Sequence, residues 1–110
     1  MSKAFKLKAA DIKPFVIGIG ACLATDMITV EGKPVLYMYR ETPEDEVDSG
    51  WRFMSGYETP EYLDIQEHSG IYDVNTIANY DPSIIRHLNA EIGASFERES
   101  DLEPFVRVEE

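Results

Sequence analysis

Helix signals come late in this chain. Up to Met54 the apolar residues fall in short runs that alternate with polar ones or stand against glycine. At Thr59-Pro60 and Asp81-Pro82 a capping residue precedes a proline at the first position of an expected helix, whereas Thr42-Pro43 opens an acidic loop with at most one helical turn. Strand-like runs followed by helical segments read as an α+β fold, a mostly antiparallel sheet with two or three short helices, and not as the regular alternation of a parallel α/β fold. The 110 residues carry no Pro/Ser/Gly-rich linker, so residues 1–110 read as a single domain.

The spacing predicts a helical turn over Lys8 to Lys13, halted by Pro14. A strand is expected at Phe15 to Gly20, with bulky residues on one face and glycines on the other. Met27 to Val30 and Pro34 to Arg40 flank Glu31-Gly32-Lys33 as a hairpin, with Val35, Tyr37 and Tyr39 sharing a face. Glu41 to Gly50 reads as a solvated acidic loop with one helical turn after Pro43. Trp51 to Met54 follows as a strand, with Trp51 and Phe53 on one side. A helix is expected from Pro60 to about Glu67, a strand at Ile71 to Val74, and a turn capped by Asn75 through Tyr80. A second helix begins at Asp81-Pro82, with Ile84, Ile85, Leu88 and Ile92 along one side until Gly93. Ala94 to Arg98, with Phe96 inward and Glu97 outward, and Phe105 to Val108 read as the closing strands.

Charge and cysteine content narrow the function classes. The single Cys22 can form no internal bridge, which fits a reducing compartment, and no apolar stretch has the length of a signal peptide core or membrane span. The expected location is the cytoplasm, with no membrane partner. The first thirteen residues hold four lysines against Asp11, while the remainder sets six basic residues against twenty acidic ones. Such a body repels nucleic acid and favours a basic protein partner, although acidity serves solubility as well.

No catalytic or metal-binding set stands out, and no cofactor is called for. His68 and His87 have no second histidine or cysteine at ligand spacing, and Cys22 in an apolar run is a packed, inert thiol. Gly18-x-Gly20 lacks the third glycine of a dinucleotide loop, since Leu23 stands there. The least ordinary stretch is Asn75-Thr76-Ile77-Ala78-Asn79-Tyr80-Asp81-Pro82, in which Asn75 and Asn79 lie one helical turn apart. Two readings stand: these side chains satisfy backbone groups where helical pieces meet a strand, or they form a polar pocket flanked by Trp51, Phe53, Tyr72 and Tyr80.

Three strings carry a resemblance. Ser49-Gly50-Trp51-Arg52-Phe53-Met54-Ser55-Gly56-Tyr57-Glu58, the Asn75 to Ile85 stretch, and Gly93-Ala94-Ser95-Phe96-Glu97-Arg98 together resemble bacterial immunity protein family thirty-three over roughly Ile17 to Arg98. That resemblance implies a non-enzymatic protein-binding module that neutralises a bacterial toxin by occlusion. Its candidate binding residues are Trp51, Phe53, Glu58, Asn75, Thr76, Asn79, Tyr80, Asp81, Glu97 and Arg98, and the implied partner is a basic toxin domain. The alternative is a small-ligand-binding protein or small enzyme using the Asn75 to Asp81 segment. Self-association through the aromatic strands is a third reading.

Overall fold

The computed structural model describes residues 3–108. Six strands form one open sheet in the order β4-β1-β3-β2-β5-β6. They are β1 (Ala21–Thr25), β2 (Tyr37–Arg40), β3 (Asp48–Met54), β4 (Ser69–Asp73), β5 (Ser95–Glu97) and β6 (Val106–Arg107). Every pairing is antiparallel except that of β1 with β3, which is parallel. Three short α-helices, α1 (Asp26–Thr29), α2 (Pro60–Leu63) and α3 (Val74–Tyr80), and 3-10 helices at Ala9–Asp11, Gln66–His68 and Pro82–His87 complete an α+β fold.

The expected turn over Lys8 to Lys13 is the first 3-10 helix, but the strand after it is not where alternation places it. Phe15 to Gly20 is irregular, and Phe15 and Ile17 are exposed. Its backbone donors are occupied elsewhere: the amides of Phe15 and Val16 both donate to Asn75 Oδ1, at 2.8 and 3.0 Å. Gly20, at φ 117°, then lets the chain pass beside β3, where a Cβ would stand 2.7 Å from the Val47 carbonyl oxygen. Pairing starts only at Ala21.

The expected hairpin is replaced by a helix. Met27 to Thr29 lies on α1 with Val30 as its C-cap, and the amides of Glu31, Gly32 and Lys33 donate back to the carbonyls of Asp26, Ile28 and Met27. Burial of Ile28 and Thr29 overrides the β-propensity of their branched side chains. Strand β2 begins two residues after Val35, which is buried and does not share the Tyr37 and Tyr39 face. Their actual hairpin partner is β3, which starts inside the predicted acidic loop at Asp48 and leaves no helical turn after Pro43.

Later elements keep their places with altered limits. The helix from Pro60 stops at Leu63, capped by Thr59, and a separate 3-10 helix covers Gln66–His68. Asp73, not Asn75, caps α3. The segment from Pro82 is a 3-10 helix to His87, so Ile84 and Leu88 are buried while Ile92 lies outside it, half exposed. Phe96 faces inward and Glu97 outward, as their alternation requires.

The core lies on one face of the sheet. Cys22 and Ala24 of β1, Met38 of β2, Trp51 and Phe53 of β3 and Phe96 of β5 meet Ile28, Val74, Ile77, Ala78, Ile84 and Leu88. Full burial of each large side chain is worth about 1.5–3 kcal/mol. All the helical contributions to that cluster come from this side, and α2 buries no residue at all. Among the described residues, no helix contributes a buried side chain to the opposite face.

Candidate protein-binding face

The uncovered face follows from strand register. One row across the sheet reads Ile71, Leu23, Arg52, Tyr39 and Ser95, and a second runs through Met54, Tyr37, Glu97 and Val106. Ile71 is 75% exposed and Val106 63%, while the Tyr37 and Tyr39 rings lie 5.4 Å apart between them. Tyrosine with aliphatic neighbours and few mobile charges is the composition of protein-binding surfaces. None of the non-charged members was singled out as a site residue from sequence. The signal was there in the alternation of Tyr37 with Tyr39, but only the helices' choice of side leaves those rings uncovered.

The single cation within this face is neutralised in place. Arg52, 4% exposed, donates from Nη1 and Nη2 to Asp48 at 2.9 Å each, from Nε to Glu41 at 2.5 Å, and from Nη1 to the Trp51 carbonyl. The Arg52 hydrogen bonds hold the Asp48 carboxyl well below the usual aspartate range, and the same bonds raise the guanidinium value further. Beyond them, Glu44, Asp45 and Glu46 are exposed at the face's border. Burial pushes the Tyr39 phenol up, and neighbouring Glu41 adds to it. The face is thus apolar at its centre and negative at its edge.

The residues proposed from sequence divide into four places. Trp51 and Phe53 are core, at 0% and 1% exposure, with Trp51 Nε1 donating to the Leu88 carbonyl at 3.2 Å. They wall no pocket with the asparagines, which corrects the flanked-pocket reading. Asn75, Asn79 and Tyr80 fasten the N-terminal segment to α3. Asn75 Nδ2 and Asn79 Nδ2 both donate to the Lys13 carbonyl, Asn79 Oδ1 accepts from the Lys13 amide, and Tyr80 Oη accepts from the Leu7 amide while donating to the Thr29 carbonyl. Thr76 sits half-buried on the same helix.

Asp81 and Arg98 form a buried clamp. Asp81 Oδ2 accepts from Arg98 Nη2 at 2.7 Å and from the Val35 amide at 3.0 Å, while Arg98 Nε donates to the Val35 carbonyl at 3.0 Å. Both polar groups of one residue are satisfied by the pair, which no local pattern announces. Asp81 Oδ1 also caps the 3-10 helix at Ser83. Arg98 further stacks 4.2 Å from the Phe105 ring centre.

Glu58 and Glu97 lie at one end of the open face. Glu58 accepts from the amides of Ser55 and Gly56 at 2.9 Å each and from the Thr25 hydroxyl. Burial alone would raise its carboxyl, but the Thr25 and backbone hydrogen bonds outweigh it and set the value below the ordinary glutamate one. Glu97 points outward beside Tyr37. Among the described residues no cluster of three or more His, Cys, Asp or Glu could hold a metal ion, and no helix is long and apolar enough to cross a membrane.

A family model described as the immunity protein Imm33 domain matches residues 22–109. The chain belongs to this family. Comparison with curated proteins and with solved structures finds no match. The matched part of this Imm33 domain includes all six strands except the first residue of β1, and it contains both rows of the open face. The segment held by Asn75 and Asn79 precedes it.

Proposed function

We propose that this protein is a non-enzymatic immunity protein that neutralises a bacterial toxin by occlusion, docking its open sheet face on the toxin's working surface. Family membership supports a toxin-neutralising protein binder. The observation that carries the choice of face is the sheet side to which no described helix contributes a buried side chain, where Leu23, Tyr37, Tyr39, Met54 and Ile71 lie together inside an acidic border. Occlusion needs rigidity and complementarity and no reactive group, and the sheet supplies a preformed surface that loses little entropy on binding. The partner is a basic toxin domain, met in the cytoplasm and steered by charges that speed encounter.

The test is capture from lysate of the source bacterium at low and moderate salt, with mass spectrometry, followed by co-expression of the captured protein in cells. One stoichiometric basic protein, lost as salt rises, made harmless by this protein but not by its Tyr39→Ala/Ile71→Asp variant, is the expected result. A partner retained equally by that folded variant refutes the face, and a failure to protect cells refutes the immunity reading.

A further inference from the structure

A groove of about 450 Å³ opens at the end of the uncovered face, between the tips of β2, β3 and β5 and the Gly56-Tyr57-Glu58 turn. Its walls include Tyr37, Met54, Tyr57, Glu58, Glu97 and Glu99, with Arg98 at its base. Arg98 is not available to a ligand: its side chain is 3% exposed and its nitrogens are bound to Asp81, Val35 and Glu103. Because the Asp81 carboxylate balances it, the groove's own walls are net negative through Glu58, Glu97 and Glu99, and the neighbouring Lys33 ammonium is itself paired with Glu31 at 3.7 Å. Among the described residues no ion pair engages Glu97 or Glu99.

The geometry points to an arginine side chain of the protein partner as the occupant of this groove. The inference rests on the reading above that the protein binds a protein. A flat guanidinium can lie against a tyrosine ring and direct its N–H groups to two carboxylates at once, whereas a lysine ammonium makes a point contact. The chain already displays half of this chemistry: the Lys33 ammonium stands 5.6 Å from the Tyr57 ring centre, so that ring carries a cation on one of its faces. Glu58 is a rigid acceptor because three donors fix its position, and Gly56 closes the approach with no side chain. Glu97, at the end of β5, and Glu99, in the bend that follows it, both line the groove and complete its negative wall.

The experiment uses the full chain labelled with nitrogen-15 and two probes, N-acetyl-arginine methylamide and its uncharged citrulline counterpart. Amide shifts confined to Tyr37, Tyr57, Glu97 and Glu99, saturating with the arginine probe and at least tenfold weaker with citrulline, are expected. A folded Glu97→Gln/Glu99→Gln variant should lose the arginine response at least fivefold, while Glu44→Gln/Glu46→Gln leaves it unchanged. Equal response to both probes, no saturating shift, or shifts centred on residues 44 to 46 overturns the inference. No toxin is needed, so these outcomes are read separately from capture and protection, and a groove that ignores arginine leaves the sheet face as the docking surface.

Discussion

Replacing Asp81 by Ala tests the energetic logic of the clamp. The substitution leaves Arg98 buried at 3% side-chain exposure without its carboxylate, takes the acceptor from the Val35 amide, and removes the cap on Ser83. Stranding one partner of a buried ion pair costs about 3–5 kcal/mol, and the orphaned amide about 1–3 more. The two terms overlap, because Arg98 can relax toward solvent, so a total of about 4 kcal/mol is expected. For a chain of this size that corresponds to a fall in Tm of about 15 °C. The single tryptophan, Trp51, is fully buried and reports urea unfolding directly. The double variant Asp81→Ala/Arg98→Met should be destabilised less than Asp81→Ala alone, since it removes the stranded charge. A loss below about 1 kcal/mol, or simple additivity of the two single changes, refutes the clamp as a coupled unit.

Acidification should expose the Asp48 and Glu58 contributions. Both carboxyls have folded-state values below their unfolded ones, so their stabilisation is complete above the unfolded carboxylate range near about pH 4 and is lost as pH falls through the folded values. Urea midpoints between pH 7 and 3 should drop for the native chain and drop less steeply for Glu58→Gln. Asn75→Ala should cost about 1–2 kcal/mol by deleting three hydrogen bonds to the N-terminal segment, with faster hydrogen exchange at Phe15 and Val16 while exchange on β3 is less affected. Burial pushes the Cys22 thiol far up, with Asp73 adding to the effect, so a thiol reagent should label the native chain only at its opening rate and react at once in urea.

Local patterns gave the fold class and much of the core, and they failed where distant residues decide. Alternation in Trp51-Arg52-Phe53 and in Phe96-Glu97 placed side chains correctly, because strand geometry is a local property. Phe15 to Gly20 alternates just as well, yet its amides bond to a side chain some 60 positions away. Met27 to Val30 looked like a strand because three of its four residues favour one, and burial against the sheet made it helical. The asparagines were legible as ligands for backbone groups, although not whose. The pocket reading failed because aromatic residues cannot be assigned to surface or core until the covered face is known.

The parallel pairing at the middle of the sheet bears on how fast the protein becomes useful. Ala21 meets Asp48 and Leu23 meets Arg52, while β5 reaches back from residue 97 to Tyr37. Only β2 with β3 and β5 with β6 can zip as sequence neighbours; the other pairings close a long loop first. Chains dominated by such distant pairings fold in about milliseconds to seconds, not microseconds. During synthesis the sheet stays incomplete until residue 107 has left the ribosome, so a nascent chain cannot present the two rows together. The docking face proposed above would thus become available only once β6 has joined the sheet.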